Sequence, residues 1–225
     1  MMMNLFSVFD PSSSVFMLSL NWISLGVGMM VIPIMFWLFP SRILVLGFMM
    51  FDFLKKELKV LLGVSYISGV SLIFVSMFLM ILLNNVLGLM PYVFTSTSHL
   101  LVTLSLAFPL WISFLIFGWL NKMMMMFAHC VPLGTPWALM SFMVCIETVS
   151  NFIRPLTLSV RLSANMIAGH LLLSLVGMQG SVFGMIMFLL LFIGQTMLML
   201  LESAVAIIQS YVFVVLGSLY LGEVY

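Results

Sequence analysis

The amino-acid sequence predicts an all-α polytopic membrane protein: one upright span, an interfacial amphipathic helix, a helical hairpin, then two long, steeply tilted helices. Hydrophobic residues are 64% of the 225 and charged residues only 6%. The mean hydropathy of +1.34 leaves no wettable surface for a soluble domain. The apolar residues come in long runs, not in the short alternating segments of a transmembrane barrel. A net charge of +1 with no basic patch speaks against a nucleic-acid partner.

The chain reads as a single membrane domain over 1–225. Residues 1–14 form a polar lead-in with Asp10-Pro11 and several serines. They lack the Arg-rich character of a transit peptide and the basic start of a secretory signal. Residues 15–39 are the first apolar run, long enough to cross about 30 Å of hydrocarbon, and Asn21 and Pro33 interrupt it without ending it. Pro40-Ser41 stops that run. Across 42–60, Arg42, Asp52, Lys55, Lys56, Glu57 and Lys59 interleave with apolar residues, the pattern of a helix lying in the interface. Four of the seven basic residues are here, so the positive-inside rule puts this segment on the inner side.

Residues 61–83 and 100–120 make the hairpin, joined by a Thr/Ser-rich link carrying His99. Asn84-Asn85 mark the end of its first helix. Lys122, on the return connection, agrees with the inner side; His99 and His129 read as loop residues without a second ligand at metal spacing. Cys130 and Cys145 read as reduced packing residues, and no spacing suggests a metal site.

Two apolar runs follow, 137–176 and 182–221, broken only around Gly177–Gly180. A helix of 40 residues would be about 60 Å long, roughly twice the hydrocarbon thickness. Each run is therefore two spans or one inclined helix. No loop signal lies inside either, and Pro155 can kink a helix without ending it. Two long tilted helices are expected, making five crossings with the carboxy terminus inside.

These runs hold an unusual set of polar residues. An Arg at the centre of a membrane helix costs about 2.5–3.5 kcal/mol, so its presence argues for function. Glu147, Arg154 and Arg161 are seven apart and form one stripe, which Asn165 continues within about 40°. His170 falls roughly half a turn away, on the opposite face. On the second run, Glu202 and Gln209 share a face, and Glu223 lies near the inner end. Antiparallel packing would level Glu202 with His170, Gln209 with Arg161, and Glu223 with Glu147. Gln195 reads as structural.

At these residues the chain resembles the subunit a family of F-type ATP synthases, in its mitochondrial, invertebrate-like form. The matching stretches are LNNVLGLMPYVFTSTSHL at 83–100, CIETVSNFIRPLTLSVRLSANMIAGHLL at 145–172 and LLESAVAIIQSYVFVVLGSLYL at 200–221. The resemblance implies that Arg161 is the stator arginine facing a rotating ring of c subunits. It implies that His170 and Glu202 belong to an outer half-channel and Glu147 and Glu223 to a matrix half-channel. Asn165 and Gln209 would support the arginine, and Arg154 would be polar support of undecided role. The implied partners are the c-ring, other stator subunits, lipid and protons. The implied location is the mitochondrial inner membrane, with the amino terminus in the intermembrane space and the carboxy terminus in the matrix. The 24 methionines fit an organelle-encoded chain. No nucleotide site or cofactor is expected, so the subunit would move protons without itself catalysing.

Other readings remain. Arg161 and Arg154 could pair with Glu147 and Glu202 to lock the helices. An ion channel or secondary transporter could use an intramembrane Arg as counter-ion, although no inverted repeat is evident. A cytochrome-b-like chain would need paired axial histidines, and only His170 lies well inside a span. Sodium in place of the proton is a further alternative.

Overall fold

The computed structural model of the chain describes residues 5–13, 18–32, 39–63, 68–131, 136–179 and 185–224, apart from the side chains of Ser68, Ala138, Met185, Ile186, Glu223 and Val224. Every regular element among these residues is helical. Of the first apolar run, 14–17 and 33–38 lie outside the described residues. Its centre is a 3₁₀ turn, Leu20–Ile23, leading into α1, Ser24–Met30. Together these span about 16 Å, too short to cross a membrane.

Helix α2 is Arg42–Leu62. The Ser41 hydroxyl accepts from the Leu44 amide and caps its start. Gly63 ends it at φ 51°, a conformation that costs a residue with a Cβ about 1–2 kcal/mol. Leu54, Leu58 and Leu62, four apart, form its buried stripe, while Asp52, Lys55, Lys56 and Lys59 are exposed.

Helix α3 runs Ser68–Gly88 and α4 runs Leu100–Asn121. The first lies further along the chain than the expected 61–83: residues 61 and 62 belong to α2, and the helix continues through Asn84 and Asn85 to Gly88. Both asparagines are buried by packing instead of facing a loop, Asn84 against Gly28 and Asn85 against Ala206. Short α5, Met123–His129, follows. Two helices of 40 residues complete the chain, α6 at Met140–Gln179 and α7 at Met185–Val224. Each is continuous, with Pro155 inside α6. Among the described residues four helices, α3, α4, α6 and α7, are long and apolar enough to cross a membrane.

The hairpin helices α3 and α4 do not pack chiefly on each other. Helix α3 lies against α7 and α4 against α6, so the α3–α4 pair is splayed around the α6–α7 pair. Small residues make that close approach possible. Ser159, Ser163, Ser210 and Ser218 are all buried, and each hydroxyl bonds back to the carbonyl three residues before it. Each is therefore satisfied without a partner on another helix.

The core gathers Leu58, Phe74, Ile81, Leu162, Phe213 and Leu221 from four helices. Gly217 is part of its fit: a Cβ there would stand 2.9 Å from Phe74 Cε1, and Phe74 is only 1% exposed. The ring would have to shift toward the small gap it borders. Gly217→Ala is expected to lower stability by about 1–3 kcal/mol. The thermal midpoint of the solubilised protein would fall, and an unchanged midpoint would mean that the ring moves freely.

Candidate functional site

Two contacts set α6 and α7 antiparallel. Near one end the Arg154 guanidinium lies over the Tyr220 ring, 5.2 Å from its centroid. Near the other, the Glu202 carboxyl sits directly on Gly169; a Cβ at that glycine would stand 2.7 Å from the carboxyl carbon. The polar residues of both helices thereby fall into two groups.

The Arg154 group lines a cavity of about 290 Å³ that holds Glu147, Asn151, Arg154 and Tyr220, with His129 at the end of α5. Glu147 and Arg154 pair at 3.7 Å. Both side chains are 31% exposed, so the pair contributes about 1 kcal/mol or less. Pro155 has no N–H to offer the Asn151 carbonyl, which leaves that oxygen without its helical bond beside the cavity. Glu223 is in the last turn of α7, but its side chain lies outside the described residues, so its expected meeting with Glu147 has no geometry here.

The Glu202 group lines a cavity of about 180 Å³ with Asn165, Glu202 and Gln209 on its walls. Both Glu202 oxygens are buried without a hydrogen-bond partner among the described residues. Such a group costs about 1–3 kcal/mol or more when charged, which a packing residue would not justify. His170 adjoins Gly169, and its Nε2 is likewise buried without a partner. It faces a larger hollow of about 1030 Å³, walled partly by the amino-terminal segment.

Between the groups the helices are packed dry. Pro155 and Leu158 meet Phe213 and Gly217 around a gap of about 20 Å³, close to the smallest space that holds one water.

Arg161 belongs to neither cavity. It is exposed on α6, on the side away from buried Ser159, Leu162 and Met166, and it has no carboxylate partner among the described residues. Arg154 and Arg161 lie within about 20° of each other on α6, so the difference is in what reaches them: Tyr220 of α7 and Glu147 meet Arg154, while Arg161 is exposed. The locking role considered for Arg161 is therefore not what the side chain does. Arg154 does make such contacts, to Glu147 and Tyr220.

Sequence reasoning missed several neighbours. Asn85 lines the Glu202 cavity; its Nδ2 donates to the Ala206 carbonyl at 3.5 Å and its Oδ1 has no partner. An asparagine pair in an apolar run was the available signal, but it read as a helix end. Gly169 and Tyr220 carried no signal, because their roles arise from the opposite helix. Gln195, read as structural, borders the large hollow with His170. His99 is a loop residue but a packed one, between Trp22 at 5.1 Å and Phe94 at 5.3 Å. Cys130 and Cys145 are free, and no group of metal-ligating side chains occurs among the described residues.

Comparison with known proteins supplies a family. Residues 12–222 match the family model described as ATP synthase A chain. The chain is 58% identical over 225 residues to ATP synthase subunit a of Locusta migratoria, covering all of both chains. The same protein of Anopheles gambiae is also 58% identical over full length. That of Drosophila melanogaster is 57% identical over 224 residues, again with full coverage of both.

Proposed function

The chain belongs to the ATP synthase A chain family, whose members are the proton-translocating stator subunits of the membrane sector, and on that footing we propose how its residues divide the proton path. The protein is a multi-pass subunit of the mitochondrial inner membrane, working beside other membrane-sector subunits. Protons enter an outer half-channel through His170 and Glu202, with Asn165 and Gln209 alongside. They leave through an inner half-channel at Glu147, with Glu223 toward its end. Arg161 stands between. The observation that carries this reading is the division of the polar residues between two cavities with dry packing between them and one unpaired arginine outside both.

The partner at Arg161 is the ring of c subunits. Beside Arg161, the small residues Ala164 and Ala168 are also exposed, so a partner helix can come close to the guanidinium. A guanidinium is a permanent cation. A ring carboxylate passing it is favoured in the ionised form, so it gives up its proton to the inner path and accepts another from the outer path. Away from the arginine, facing lipid, desolvation favours the neutral acid. The same charge repels a proton seeking a direct route between the two cavities. Each proton crossing 100 mV supplies about 2.3 kcal/mol, which the offset paths convert to rotation.

In this arrangement α6 and α7 lie steeply inclined, since about 60 Å of helix must fit about 30 Å of hydrocarbon. The charged face of α2 and the carboxy terminus are on the matrix side, and the amino terminus is in the intermembrane space.

The test is a pair of neutralising substitutions in the whole complex, reconstituted in vesicles. Glu202→Gln and Glu147→Gln are each expected to slow ATP-driven pumping by about 10²-fold or more, the scale of a lost proton-transfer group. Only Glu202→Gln should shift the dependence on outer pH, and only Glu147→Gln that on inner pH. The opposite pairing would reverse the assignment, and no effect from either would remove it.

A further inference from the structure

The amino-terminal segment has no role in the path just described, yet it lies on it. The 3₁₀ turn Leu5–Phe9 packs against α6, and the Phe9 ring meets the His170 ring edge-on at 6.5 Å. After the turn, Asn21 Nδ2 donates to the carbonyls of Asp10 at 3.3 Å and Ser12 at 3.5 Å, tying the segment to the start of α1. Asp10, Asn21, Ser24, Tyr92, His170 and Gln195 all border the hollow of about 1030 Å³. Its titratable groups are Asp10, Tyr92 and His170, and no Lys or Arg lines it. Asp10 is exposed, while His170 Nε2 and Ser24 Oγ are buried without partners among the described residues. The hollow thus leads from one carboxylate at its rim to an imidazole whose Nε2 has no hydrogen bond among the described residues.

We infer that this segment is the wall of the proton-uptake mouth and that Asp10 is its steering charge, raising the local proton concentration in front of His170. The inference rests on the reading of His170 and Glu202 as the outer path. The Ser12 amide donates to Asp10 Oδ1 at 3.0 Å and holds this carboxyl below the usual carboxylate range, so the charge persists at neutral pH.

Magnitudes favour such a device. At pH 7 free protons are about 10⁻⁷ M, and a capture constant of about 10⁹–10¹⁰ M⁻¹s⁻¹ delivers roughly 10²–10³ per second. That rate is of the order of ordinary enzyme turnover, so supply can limit flux. Clefts lined by charge of one sign raise such rates by about tenfold or more at low ionic strength, and a single carboxylate falls at or below the lower end of that range.

The experiment uses the intact complex in vesicles energised from the outer side, with ATP synthesis measured against outer pH and salt. Asp10→Asn is expected to slow synthesis about threefold to tenfold at alkaline outer pH and low salt. The deficit should vanish at acid outer pH, where supply no longer limits, and in 1 M salt, where the Debye length is about 3 Å. Asp10→Glu, which keeps the charge, should behave as the unaltered chain. A deficit independent of pH and salt would show a packing role and overturn the inference, as would no deficit at all. Glu202→Gln, run in parallel, separates the two failures. If it retains normal flux, the outer path is misassigned. If it blocks flux while Asp10→Asn is silent, only the steering role falls.

Discussion

Arg161→Ala is expected to abolish ATP-driven proton pumping, by about 10²-fold or more, while passive leak through the membrane sector stays the same or rises. The loss is set by the removal of a fixed charge aimed at a site where charge develops, which costs about 10²–10³ in comparable electrostatic roles. Stability should move the other way. Arg161 is exposed and pairs with no carboxylate among the described residues. A guanidinium at the centre of a membrane helix costs about 2.5–3.5 kcal/mol, so its removal should leave the subunit as stable as before or more so. Lost coupling with retained assembly separates a functional charge from a structural one. Retained pumping in the variant would make Arg161 an ordinary surface residue and remove the stator mechanism.

Gly169→Ala is expected to cut proton flux by about 10²-fold with little loss of stability. The added Cβ would lie 2.7 Å from Glu202 Cδ and 2.8 Å from Oε1, so the carboxyl must shift. It is the far end of a flexible side chain beside a cavity of about 180 Å³, so it can shift without disturbing either helix. A misplacement of about 1 Å costs on the order of 10² in rate where proton donors must align. Alanine is also the better helix former by about 1 kcal/mol, which offsets any strain. Flux measured in vesicles beside a thermal midpoint of the complex checks both halves. Normal flux would mean that the position of the Glu202 carboxyl over Gly169 is unimportant. A large fall in the midpoint would mean that this glycine serves packing instead.

The difference between these two residues marks what could be read from the chain. Arg161 stands out in any apolar sequence, because the cost of its charge is a property of one side chain in one solvent. The same holds for Glu147, Arg154, His170 and Glu202, and the 3.6-residue period ordered them along their helices. Asn85 was visible too, but the local rule that asparagine favours helix ends won over its burial beside Ala206. Gly169 was invisible, since a glycine in a helix has no chemistry until the Glu202 carboxyl lies upon it.

Composition, run length and periodicity sufficed for the membrane class, two 40-residue helices and the polar residues they bear, all of which depend on each residue and its near neighbours. The tertiary structure alone decided that Arg161 faces outward while Arg154 turns to Tyr220, that α3 and α4 part to hold α7 and α6, and that the amino-terminal segment reaches His170. Each of these is a relation between residues distant in the chain. Such relations are settled by which small residues let helices approach and by where a helix distant in the chain comes to lie, which no local pattern records.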